Sequence, residues 1–97
     1  DVFTVTASGL DEELVQAACS YIRSFFDVKL QGRMDCFVFG PTPPQIVKIN
    51  NRYRYKVTLN CKNTKEIRNL ISQIIIECST DKRFKGVSFF ADYDPLD

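Results

Sequence analysis

Histidine is absent from these 97 residues, which removes the side chain that most often serves as a general base near neutral pH and as a neutral metal ligand. Cysteine is scarce and scattered. Cys19, Cys36, Cys61 and Cys78 include no pair at the two- to four-residue spacing of a zinc site. Unpaired cysteine behaves as a small hydrophobe, so these four are expected to be reduced, partly buried thiols of a cytoplasmic protein, with a pair of disulfides as the alternative. No apolar run approaches the roughly 18 residues of a membrane-spanning helix, which excludes a helical membrane span. A glycine-rich phosphate loop is missing, as is any Ser or Cys with a plausible base beside it, and nothing in the sequence supports catalysis. There is no initiator methionine and no charged-then-apolar leader, and the chain is expected to be an excised piece or a processed product.

What is present is an ordinary globular composition, 44% hydrophobic and 26% charged, in a length that fits one domain, residues 1–97. Charge is unevenly spread. Residues 1–47 carry three basic and six acidic side chains, residues 48–68 seven basic and one acidic, and residues 69–97 three basic and five acidic. A net charge of +1 therefore conceals a middle segment of +6, and a local patch can act on a partner where the global average cannot.

The patterning predicts six elements. "VFTVTA", residues 2–7, alternates with β-branched residues and reads as a half-buried strand. Asp11 is placed to cap a helix whose apolar stripe is Leu14, Ala18, Tyr21, Ile22, Phe25 and Val28, ending before Gly32. "DCFVF", residues 35–39, is a short strand stopped by the rigid bend "GPTPP". Asn50-Asn51 joins the arms of a hairpin over residues 45–61, because asparagine tolerates positive φ. Asn63 with Glu66 caps a second helix with the stripe Ile67, Leu70, Ile71, Ile74, Ile75 and Cys78. "VSFFADYD", residues 87–94, is a last strand, ended by Pro95. The order βαβ–βαβ points to an α+β, ferredoxin-like split βαβ fold: a four-stranded antiparallel sheet with two helices on one face and the other face open.

Period two divides the strand "RYRYKVTL" into two faces: Tyr53, Tyr55, Val57 and Leu59 turn to the core, and Arg52, Arg54, Lys56 and Thr58 turn away. With Lys48, the three basic residues are candidates for binding a nucleic-acid backbone, since Lys and Arg about 7 Å apart along a strand suit phosphates. The competing reading is a solvated strand face whose charges discourage edge pairing. Lys65 and Arg68 extend the positive charge to the start of the second helix, where free amides and the helix dipole favour an anion. Tyr53 and Tyr55 are expected in the core rather than stacked on bases, while Phe90 is expected to face outward. Asp92, Asp94 and Asp97 are read as solvated or paired with arginine, not as a metal site. Acylphosphatase shares the fold class, but its phosphate-cradling loop has no counterpart at "TASGLDEE".

Taken together, "VFGPTPPQIVKINNRYRYKVTL" and "FFADYDPLD" resemble the C-terminal domain of PriA, the primosomal replication-restart DNA helicase of bacteria. The resemblance covers residues 36–97 and rests on the proline-rich bend at Gly40 to Pro44, the basic–aromatic run Arg52 to Tyr55, and Asp92 to Pro95; the bend departs slightly from the family's usual spacing. It implies a domain appended to an ATP-driven helicase core, with the ATP and zinc of the parent held elsewhere and no cofactor here. It also implies partners: branched or single-stranded DNA, the acidic tail of the single-stranded-DNA-binding protein, and the parent's own helicase core. Lys65 and Arg68 are the candidates for that tail. Two other classes remain: a protein-interaction module for an acidic peptide, and a small-molecule regulatory domain of ACT type with its ligand near Ser8-Gly9.

Overall fold

The computed structural model describes residues 1–43 and 48–94, with Lys48 and Ile49 placed by backbone alone. The chain order is β1 (Val2–Gly9), α1 (Glu12–Lys29), β2 (Phe37–Thr42), β3 (Lys48–Ile49), β4 (Arg52–Asn60), α2 (Lys65–Thr80), a single 3-10 turn (Lys82–Phe84) and β5 (Ser88–Asp94). The main strands lie in the order β2-β4-β1-β5, all antiparallel, and β3 pairs with β4 off this path. This is the α+β, split βαβ arrangement that the order of elements implies.

Each helix starts where a side chain can satisfy its orphan amides. Asp11 Oδ1 accepts from the amides of Glu13 (3.1 Å) and Leu14 (3.4 Å), as the sequence predicts. At α2 the cap is Thr64, whose Oγ1 accepts from Ile67 N at 3.2 Å. Asn63, the residue expected to cap, instead uses its Oδ1 to accept from Arg68 Nη1 at 2.7 Å. A hydroxyl three residues before the amide it serves displaces the carboxamide one position earlier.

The core lies between the helices and one face of the sheet. Phe3, Val5 and Ala7 of β1 and Tyr55, Val57 and Leu59 of β4 meet Val15, Ala18, Cys19, Ile22 and Phe26 of α1 and Ile67, Ile71, Ile74 and Cys78 of α2. The stripe of α1 is thus turned from the expected one: Phe26 rather than Phe25 is fully buried, and Val28 is 71% exposed. A helix that crosses a sheet buries only the strip that reaches it, so a wide apolar stripe leaves its flanks outside. Polar ties join the layers at their rims. Tyr55 donates its phenol to Glu12 and accepts from Gln16 Nε2 (2.9 Å), and Tyr21 donates to Glu77 across α1 and α2.

β2 runs further than expected. It continues through Gly40 and Pro41 to Thr42, with an irregularity between Phe39 and Thr42 and a cis Gly40-Pro41 bond. An edge strand tolerates this, because a proline there forfeits no ladder bond on its outer side. Gly40 is required: its φ is +104°, and a Cβ would stand 2.7 Å from the Lys56 carbonyl oxygen. The Asn50-Asn51 turn has φ of 53° and 63° at its two residues, the mirror-image turn that suits a two-residue hairpin. The expected first arm of that hairpin is described only at Lys48–Ile49; residues 45–47, like Pro95 and Asp97, lie outside the described residues.

Candidate nucleic-acid interface

The face of the sheet away from the helices is open, and register defines what stands on it. Val2 lies between Asn60 and Asp94, Thr4 between Thr58 and Asp92, Thr6 between Lys56 and Phe90, and Ser8 between Arg54 and Ser88. β2 continues these rows outward, setting Phe37 beside Asn60, Phe39 beside Thr58 and Thr42 beside Lys56. Directly paired residues share a face. On this side stand a basic column on β4, a column of Ser88, Phe90, Asp92 and Asp94 on β5, and two phenylalanines on β2; of the β1 hydroxyls between them Thr4 is partly exposed, while Thr6 and Ser8 are buried beneath their neighbours.

The basic residues named from the sequence separate here. Arg54 and Lys56 stand together, lining a shallow depression of about 390 Å³ with Thr4, Thr6, Phe90, Asp92 and Asp94. The Arg54 guanidinium carbon lies 5.9 Å from the centre of the Phe90 ring, within cation–π range. Its Nε is buried and has no hydrogen-bond partner. Arg52 is already engaged: Nε donates to the Ser8 hydroxyl at 3.1 Å, and Nη2 donates to the Ser8 carbonyl at 2.9 Å and the Ser88 hydroxyl at 3.4 Å. It clamps β4 to β1 and β5 near the Ser8-Gly9 corner. Lys48 takes the register position opposite Tyr53, and Ile49 the one opposite Arg52; the Lys48 side chain lies outside the described part of the structure.

Asp92 and Asp94 share this face and line the same depression as Arg54 and Lys56, but among the described residues they form no ion pair with them within 4.0 Å. β4 and β5 are separated by β1, roughly 9–10 Å between outer strands, and among the described residues the ion pairs within 4.0 Å are Arg23–Asp27, Arg33–Asp35, Arg33–Glu66 and Arg83–Asp81. The face is polarised, positive toward β4 and negative toward β5. An anion on it is drawn to the β4 side and repelled from the β5 edge.

Lys65 and Arg68 lie on the first turn of α2, both exposed. They part company within one turn. Arg68, steadied by Asn63, lines a depression of about 200 Å³ between α2 and β5 with Phe3, Ile71, Ser72, Ala91, Asp92 and Tyr93; Lys65 does not line it.

The aromatics divide as the alternation requires. Tyr55 is buried and tied to α1, and Phe90 is 38% exposed on the open face. Phe37 and Phe39, 57% and 54% exposed, are the residues that sequence reading missed. Their signal was available in the alternation of Phe37 and Phe39 about Val38, whose partner Leu59 is a core residue. The four cysteines are free thiols. Burial pushes Cys19 up to about 12 and Cys61 and Cys78 up to about 11, so these three are poor nucleophiles at neutral pH.

Comparison with known proteins adds one result to this geometry. A family model described as the primosomal protein N C-terminal domain matches residues 1–96. No curated protein matches.

Proposed function

The chain belongs to the primosomal protein N C-terminal domain family, and from that premise we propose that it is a non-catalytic accessory domain giving a replication-restart DNA helicase a sequence-independent hold on the DNA backbone. Arg54 and Lys56 make the phosphate contacts, with Arg52 supporting the sheet corner beside them; Lys48, expected with them, pairs with Tyr53, a register position on the face opposite theirs, and is left out of this grip. The observation that carries this reading is the uncovered face on which Arg54 and Lys56 line one depression without an ion pair within 4.0 Å to any described residue. Contacts to phosphate hold position and do not read sequence, and the grip needs neither ATP nor a metal. A primosomal role puts the work in the cytoplasm, and no described helix is long and apolar enough to cross a membrane.

The test is a titration of the chain with fluorescent forked DNA at rising salt. Binding falls as salt rises, and Arg54→Gln with Lys56→Gln weakens it and flattens the salt slope by roughly 0.7–0.9 per lost phosphate contact. Affinity that is unchanged between 50 and 200 mM salt overturns the reading.

A second reading has its own observation: Arg68 stands at an apolar depression edged by Phe3, Ile71 and Tyr93. A cation beside apolar rings suits the end of an acidic, hydrophobic peptide, such as the tail of the single-stranded-DNA-binding protein, with Lys65 offering charge further along the helix start. Arg68→Gln abolishing capture of that tail peptide, with DNA affinity intact, assigns the two surfaces to two partners.

A further inference from the structure

Phe37 and Phe39 are not explained by a grip on phosphate. They are two large rings more than half exposed, set two residues apart on one strand, where a single core-side residue, Val38, already packs against the interior. Exposed aromatic rings side by side are unfavourable in water unless something covers them. We propose that Phe37 and Phe39 form a base-stacking platform, so that this face takes unpaired nucleotides whose bases lie on the two rings while their phosphates reach Lys56 and Arg54. The proposal rests on the backbone-binding reading above and deepens it.

Three features of the face favour that occupant. First, spacing: alternate residues of a strand are about 6.6–6.8 Å apart, roughly twice the 3.4 Å at which bases succeed each other along one strand of a duplex. Two neighbouring bases can therefore each cover a ring only after they have been drawn apart, which a single strand allows. In a duplex, both faces of an interior base are already covered by its neighbours. Second, polarity: register places Asn60 beside Phe37 and Thr58 beside Phe39, and Lys56 and Arg54 follow along β4. A carboxamide and a hydroxyl thus flank the rings, Lys56 follows them along β4, and the Arg54 guanidinium reaches across β1 toward Phe90. Third, exclusion: Asp92 and Asp94 on β5 repel a polyanion from the far half and confine the strand to the β4–β2 side. A stacked base gains from any aromatic surface whatever its identity, so the platform keeps the interaction independent of sequence.

The experiment compares a fluorescent twelve-nucleotide oligo-dT with a twelve-base-pair duplex, using the whole chain and anisotropy at fixed low salt. Oligo-dT binds more tightly. Phe37→Ala and Phe39→Ala each weaken it about fivefold or more, the low end of the range for losing one stacked base, and leave duplex affinity unchanged. Phe37→Leu with Phe39→Leu keeps apolar bulk but removes both rings, and it weakens oligo-dT more than either single alanine variant; thermal melting of each variant verifies that the fold is retained. Equal affinity of the wild-type chain for the two DNAs overturns the proposal, as does full oligo-dT affinity in the leucine variant. If either occurs while Arg54→Gln with Lys56→Gln still weakens both DNAs, the backbone reading survives and the stacking platform alone is lost. Absence of any DNA binding by the wild-type chain removes both.

Discussion

The two faces of β4 are made of alternate residues of one nine-residue strand, and they have opposite duties. Tyr55, Val57 and Leu59 are buried among the helices, whereas Arg54, Lys56 and Thr58 stand half-exposed on the open side. The strand therefore carries the fold on its odd positions and the candidate site on its even ones. Stability and binding should be separable by shifting a substitution by a single residue.

The sharpest break of that symmetry comes from the covered side. Leu59→Ala removes a fully buried side chain and is expected to cost about 2–5 kcal/mol, read as an earlier midpoint in urea unfolding, with DNA affinity unchanged wherever the variant is still folded. Gly40→Ala is expected to come next, at about 1–3 kcal/mol, since a residue with a side chain is strained at this φ and its Cβ meets the Lys56 carbonyl. This substitution couples the faces: displacing β2 from β4 moves Phe39 as well as loosening the edge, so oligo-dT affinity should fall together with the melting temperature. The smallest stability effect belongs to the open side. Asp92→Asn with Asp94→Asn is expected to change stability by less than about 0.5 kcal/mol. It should nevertheless strengthen DNA binding at low salt, and the gain should shrink as salt screens the charges. A loss of several kcal/mol in that double variant would mean that the two faces are not independent.

Much of this was legible in the sequence because short-range patterns carry it. The alternation in "RYRYKVTL" assigned the side chains of β4 from Arg52 to Leu59 to their faces, and the three- and four-residue spacing of Ile67, Ile71, Ile74 and Cys78 gave the buried stripe of α2. Where reading failed, a tertiary neighbour made the choice. Val28 belongs to the apolar stripe of α1, yet it lies on the flank of the helix that stays in water. Asn63 and Thr64 are both good caps, and the position of Ile67 N relative to the Thr64 hydroxyl decides between them. "GPTPP" looks like a stop, but an outermost strand keeps its pairing to Thr42 because its free edge needs no donors. Arg52 looked equivalent to Arg54, and only the approach of β1 and β5 at Ser8 and Ser88 commits it to a structural bond.

The six main elements, the βαβ–βαβ order and the local excess of positive charge follow from neighbours along the chain, because each is a matter of propensity, periodicity or formal charge. Tertiary structure alone decided that β2 lies outside β4 and β5 outside β1. That order sets Phe37 and Phe39 beside the basic column and holds Asp92 and Asp94 one strand away from it. Strand order is a matter of long-range pairing, in which the burial of the opposite face outweighs any local preference, and the composition of the open face follows from it.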